Sequence, residues 1–335
     1  MLRNMAIATS ALPDVESASL LGSVAEEFRQ GFVEMALQAE RELSGKSFVF
    51  ARYGKELYPY FEKTDATSVP GCIIPLKEGR PIASVDSTCI LLGEASDGAL
   101  YAARTAVGIS YEGALRRFVR LGPILVYASS SGLSGLGGRL SSPELSLALS
   151  DHTVAERMIR NTVERRVVDS LLSSEEPIIV MADGSLRHPL GQFSGGHLPR
   201  PREGNSLVGF SKFSNLIFSE DAVCSLTKTA SPAYLTVDEG PIDTVLAKFS
   251  PDGLVFRLDL QGGREPTPST LGRILSNDAF ASGYPESLKL AHHLSIFSKA
   301  DDHALKAFVT KRFKVRRLST FALRTIALGG FRGGT

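Results

Sequence analysis

The sequence has no tryptophan, only three cysteines, almost no net charge and no long apolar run. Each shortage excludes something. Cys72, Cys89 and Cys224 are odd in number and show no ligand spacing, which argues against a disulfide framework and against a zinc site. Each lies in or beside an apolar run, so they read as reduced core thiols of a cytoplasmic protein. A formal charge of +1 gives no global field to draw in a polyanion, so a nucleic-acid site would have to be a local patch. No apolar stretch approaches the roughly 18 residues of a membrane span, and Met5 to Leu12 is too brief for a secretory signal. A sugar cleft would need aromatic walls that a chain without tryptophan supplies poorly. The glycine-rich run Gly132 to Arg139 lacks the Gly-Lys-Ser/Thr ending of a phosphate loop, and its serines form no Gly-x-Ser-x-Gly elbow.

What is present suits one large or two ordinary globular domains: 335 residues, 43% hydrophobic and 22% charged. Residues 14–44 place Leu20, Leu21, Val24, Phe28, Phe32, Met35 and Ala36 at helical spacing, an amphipathic region suited to packing or subunit contact. A loop-rich, tyrosine-bearing connection follows to residue 80. Residues 81–92 then predict a strand that Pro81 can only begin. Alternation sends Ile82, Ser84, Asp86, Thr88 and Ile90 to one face and Ala83, Val85, Ser87, Cys89 and Leu91 to the other. Asp86 is thereby set mid-strand among apolar neighbours, where a carboxylate needs a cation or donors.

Turn residues 93–98 join that strand to a second over 100–109, and 121–127 suggest a third, the signature of an antiparallel meander. Residues 129–142 read as a glycine/serine linker or lid. Asp151 is a natural N-cap for a helix over 152–172, and residues 177–186 are a continuous apolar run ending Asp183-Gly184, as in a strand buried on both faces. Further strands are expected at 206–213, 233–238, 244–249 and 254–260. The Pro/Thr-rich stretch 264–272 reads as a loop, and helices are expected at 286–298 and 301–313. Lys311, Arg312, Lys314, Arg316 and Arg317, with Arg324 and Arg332, make the C-terminus the most basic part, suited to DNA or a partner. These boundaries divide the chain into an N-terminal helical region (1–75), a core (76–300) and a basic helical tail (301–335).

The strand–meander–helix–strand order puts Asp86 and Asp183 on neighbouring strands of a ribonuclease H-like α/β mixed sheet with flanking helices. With a glutamate from the covering helix they would form a hard oxygen site for Mg2+ or Mn2+. Glu164 shares a face with Val168 and Leu171; Glu156 is its competitor.

The segments IASVDSTCILLGE, LYAARTAV, IIVMADGSL, VGFSKFSN, VFRLDL and GYPESLKLAHHLSIFSKAD, in that order over residues 81–300, resemble the NurA family of nucleases, which work with HerA-type hexameric ATPases. The resemblance implies a homodimeric, Mn2+-dependent deoxyribonuclease, with Mg2+ as the other candidate metal. It implies 5′-to-3′ exonuclease and single-strand endonuclease activity in DNA end processing, by two-metal phosphodiester hydrolysis. Asp86, Glu164 and Asp183 match the family's acidic ligands, and Tyr284 and His292 its C-terminal Tyr and His, with His292 a further metal ligand. His293 competes with His292, since adjacent helical residues point about 100° apart. Lys212 matches the family lysine expected to meet substrate phosphate. Asp86-Ser87-Thr88 stands where the family often has Asp-Gly-Ser. The alternative is a NurA-like subunit that binds DNA or the ATPase without cutting.

Overall fold

The structure is a computed structural model that describes residues 69–134 except 78, 136, 142–186, 201–211, 216–217 and 225–317 except 231, 263 and 264; N-terminal to these it describes 22, 26, 29–30, 37–38, 41, 44–45, 47–48 and 62–63. Lys212, Cys224, Arg187, His188 and the tail beyond 317 lie outside the described residues.

A ten-stranded sheet organises the chain. Its strands are β1 (Gly71–Cys72), β2 (Ile82–Ala95), β3 (Gly98–Tyr111), β4 (Ala114–Ser129), β5 (Gly132–Ser134), β6 (Ile179–Asp183), β7 (Ser206–Ser211), β8 (Ala233–Asp238), β9 (Asp243–Lys248) and β10 (Phe256–Gly262). Across the sheet they run β1-β8-β9-β10-β7-β6-β2-β3-β4-β5. The meander β2–β3–β4 is antiparallel, while β6 lies parallel to both β2 and β7. This is the ribonuclease H-like order expected above, and it has a local cause. Short turns keep β2 to β4 antiparallel, and the long helical crossover returns β6 parallel to β2.

That crossover holds α1 (Ser142–Ser150) and α2 (His152–Leu172). Asp151 caps α2 as expected, its Oδ1 accepting from Thr153 N at 2.8 Å. Such a cap stabilises a helix by about 1 kcal/mol. Ala155, Met158, Ile159, Val163, Val167, Val168, Leu171 and Leu172 are buried against Ala83, Val85, Val107 and Val180 of the sheet. Each fully buried aliphatic side chain contributes roughly 1.5–3 kcal/mol, so this face fixes the helix on the sheet.

The opposite face carries α3 (Thr267–Asn277), α4 (Glu286–Ser295) and α5 (Lys299–Phe313). The α3 helix corrects the expected loop at 264–272. Pro266 stands at its N-cap and Pro268 in its first turn, positions where a missing N–H costs nothing, and Leu271 and Ile274 are buried behind them. Arg273 and Arg80 meet Glu265 at 2.7 and 2.8 Å. Three other expectations shift. The third strand begins seven residues earlier, at Ala114, because arginines on a partly solvated face hid its alternation, and the start of the predicted linker pairs as β5. Cys72 is exposed rather than a core thiol, and Cys89 is partly buried. Val309, Phe313 and Val315 close the far end over Leu92, Leu100 and Tyr127. No helix among the described residues is long and apolar enough to cross a membrane.

Candidate metal centre

The pleat of β2 sorts its residues as predicted. Ala83, Val85, Cys89 and Leu91 pack toward α2, whereas Ser84, Asp86 and Thr88 face α4. There Ser84 Oγ lies 2.6 Å from Ser287 Oγ, and Thr88 Oγ1 lies 3.1 Å from Ser295 Oγ. Gly108 of β3 admits the helix, since a Cβ there would stand 2.7 Å from the Ser287 carbonyl oxygen. The helix is anchored at both ends. Asp278 accepts from Ser287 N at 3.3 Å and from the Ser287 hydroxyl at its N-terminus. At the C-terminus Arg104 donates to Ile296 O at 3.0 Å, pairs with Asp301 at 3.2 Å and lies 4.2 Å over the Phe297 ring.

Parallel pairing sets Val85 beside Ala182, so one residue further on Asp86 and Asp183 project from adjacent strands on the same face. The α4 helix supplies His292, whose Nδ1 lies 2.8 Å from Asp86 Oδ2. Asp86, Asp183 and His292 each present a ligand atom, and these atoms all lie within 4.8 Å of one another. Ligands bound at about 2.1 Å to one ion lie about 3–4 Å apart, so only small side-chain adjustments separate this set from coordination. Two carboxylates and an imidazole suit a divalent ion such as Mn2+. Ser295, one turn beyond His292, donates to the same Asp86 oxygen at 2.9 Å. Asp86, 5% exposed, is therefore held by two groups of a single helix.

The members of each competing pair lie in different surroundings. His293 is exposed on the far side of α4, while His292 meets Asp86. Glu156 is occupied elsewhere: its Oε1 accepts from Leu91 N at 2.8 Å, where the β2–β3 ladder shifts register. Glu164, partly buried under the sheet, does not belong to the three-ligand group, because it rises from α2 on the opposite face. It is nevertheless coupled to that group. Burial pushes its carboxyl up to about 8; Arg160 opposes this, and the charges of Asp86 and Asp183 add to it. Burial first, and then the two nearby negative charges, favour its protonated form.

Tyr284 stands at the rim, in a short hairpin of Phe280–Ala281 and Tyr284–Pro285. Its hydroxyl points at Asp183 Oδ1 from 3.5 Å, and its ring packs edge-on to Phe210 at 5.2 Å and beside Phe256 at 5.5 Å. Burial, then the charges of Asp183 and Asp86, raise the phenol above its ordinary range, so it stays a proton donor. Sequence reasoning missed Ser295, Asp278 and Arg104. The i+3 spacing of Ser295 from His292 was the only available signal for the first. The other two become visible only when β3 and α4 are brought together.

No protein-family model matches the chain, and no curated protein matches it in sequence. Solved structures align with the chain at low identity. The NurA nuclease from Sulfolobus solfataricus is 12% identical over 90% of this chain and 98% of its own, with a TM-score of 0.43. A second NurA structure is 11% identical over 89% and 98%, with a TM-score of 0.40. An Argonaute from Aquifex aeolicus is 10% identical over 66% of this chain and 29% of its own, with a TM-score of 0.25.

Proposed function

We propose that this protein is a metal-dependent deoxyribonuclease of the NurA type. The observation that carries the reading is the convergence of Asp86, Asp183 and His292 on one sheet face. The ordered segments over residues 81–300 support the family assignment. With them come Mn2+ as the metal, 5′-to-3′ exonuclease and single-strand endonuclease activity in end processing, a homodimer and a HerA-type ATPase partner.

Bound at this site, divalent ions would supply an activated water and stabilise the leaving 3′-oxygen. The remaining chemistry belongs to the chain. Asp86 and Asp183 would hold the cation, and the wall of α4 fixes Asp86 before substrate arrives. His292 offers its imidazole as a third ligand or takes a proton at its free nitrogen. Glu164 would offer a further carboxylate from the α2 side. The Tyr284 hydroxyl, held by its aromatic neighbours, donates toward a phosphate oxygen or Asp183. Lys212 would offset phosphate charge.

The test is degradation of an end-labelled duplex and a labelled single strand with Mn2+, Mg2+ or EDTA, in the wild type and Asp86→Ala. Cleavage that requires metal and falls at least roughly 1,000-fold in a folded Asp86→Ala is the expected result. Absence of cleavage under every condition, with the ATPase added, would overturn the enzyme and leave a DNA- or ATPase-binding subunit.

A further inference from the structure

A second carboxylate network lies just behind the site. Asp259 of β10 is fully buried, two strands from Asp183 across β7. Its Oδ1 accepts from Thr244 Oγ1 at 2.9 Å and from Arg257 Nε at 3.0 Å. Its Oδ2 accepts from Arg257 Nη2 at 3.2 Å, Ser185 Oγ at 2.5 Å and Leu186 N at 2.9 Å. Arg257 balances the charge, and two of the remaining donors come from the turn that directly follows Asp183.

Register shows how that turn is seated. Ala182, Gly209 and Asp259 form one lateral row, and Asp183, Phe210 and Leu258 the next. Alternation therefore puts Asp183 and Asp259 on opposite faces. After Asp183 the chain turns through Gly184, at φ +116°, a conformation favourable only for glycine. It then folds back over bare Gly209, where a Cβ would stand 2.7 Å from the Gly184 carbonyl oxygen and 2.8 Å from Leu186 Cγ. Ser185 and Leu186 are fastened there to Asp259. Asp183 is the last residue of its strand, so this clamp fixes the backbone that aims its carboxylate.

We infer that Asp259 is a positioning residue for Asp183, holding the Gly184–Leu186 turn so that the Asp183 carboxylate stays within reach of Asp86 and His292. The inference rests on the metal-site reading above. Partners of this kind, one step removed from the ligands, typically govern metal affinity by 10- to 100-fold.

The test is calorimetric titration of the full chain with Mn2+ alone, in the wild type, Ser185→Ala and Asp259→Asn, beside urea unfolding of each metal-free protein. Ser185→Ala removes one hydroxyl from the clamp and leaves the Asp259–Arg257 pair intact, so it remains informative if Asp259→Asn fails to fold. The expected result is a Mn2+ dissociation constant raised roughly 10-fold in Ser185→Ala and further in Asp259→Asn, with metal-free Ser185→Ala still unfolding in one cooperative step, its midpoint lowered only by the loss of a single hydrogen bond. Wild-type affinity in both folded variants, or in Ser185→Ala where it alone folds, would overturn the positioning role while leaving the metal centre standing. A wild type that binds no Mn2+ would overturn the metal reading itself, and this inference with it.

Discussion

Replacing Glu164 with glutamine tests the upward pKa shift that burial, and after it the charges of Asp86 and Asp183, impose on this carboxyl. In the unfolded chain Glu164 takes an ordinary carboxyl pKa of 4.5, and in the fold about 8. The folded state thus binds this proton more tightly. Stability is full below pH 4.5 and is lost progressively until the pH passes about 8. At 1.36 kcal/mol per unit, the loss is on the order of 1.5 kcal/mol at pH 5.5 and 4–5 kcal/mol at pH 8.5. Glutamine mimics the protonated acid and has no proton to lose. Water at the partly exposed side chain screens some of the effect, so the stability advantage of Glu164→Gln should grow by roughly 2–3 kcal/mol between those pH values. Urea unfolding of both proteins in EDTA at pH 5.5 and 8.5 measures it directly. An advantage that is the same at both pH values would refute the raised pKa of Glu164 and the burial that chiefly causes it.

Two further perturbations separate packing from chemistry. Tyr284→Phe keeps the ring against Phe210 and Phe256 and removes only the hydroxyl. Thermal stability should hold while the turnover of labelled DNA falls on the order of 100-fold; an unchanged turnover would remove Tyr284 from the site. Gly108→Ala inserts a methyl against the Ser287 carbonyl and lifts α4. A loss of roughly 1–3 kcal/mol in urea unfolding is expected, together with weaker Mn2+ binding because His292 and Ser295 move with the helix.

Local sequence signals encode the two ligand-bearing strands and the crossover helix packed beneath them. Period-two alternation through Asp86, the Asp151 cap before an apolar helical face and the continuous run ending at Asp183 are local signals. Each rests on burial that neighbours in the chain already encode. The same reasoning failed where composition misled it. Pro266 and Pro268 looked like loop residues, yet they begin α3, because proline in the first turn of a helix sacrifices no hydrogen bond. The arginines of β4 masked a strand with one partly solvated face.

Choices between neighbours needed the tertiary structure. Only the seating of α4 on Gly108 turns His292 rather than His293 toward Asp86. Only the contact of α2 with β2 near Leu91 shows that Glu156 serves a backbone N–H. Asp259 lies 76 residues from Asp183 in the chain, and two strand pairings bring it behind the turn that aims that carboxylate. Such contacts arise from long-range pairing, and no local pattern carries them.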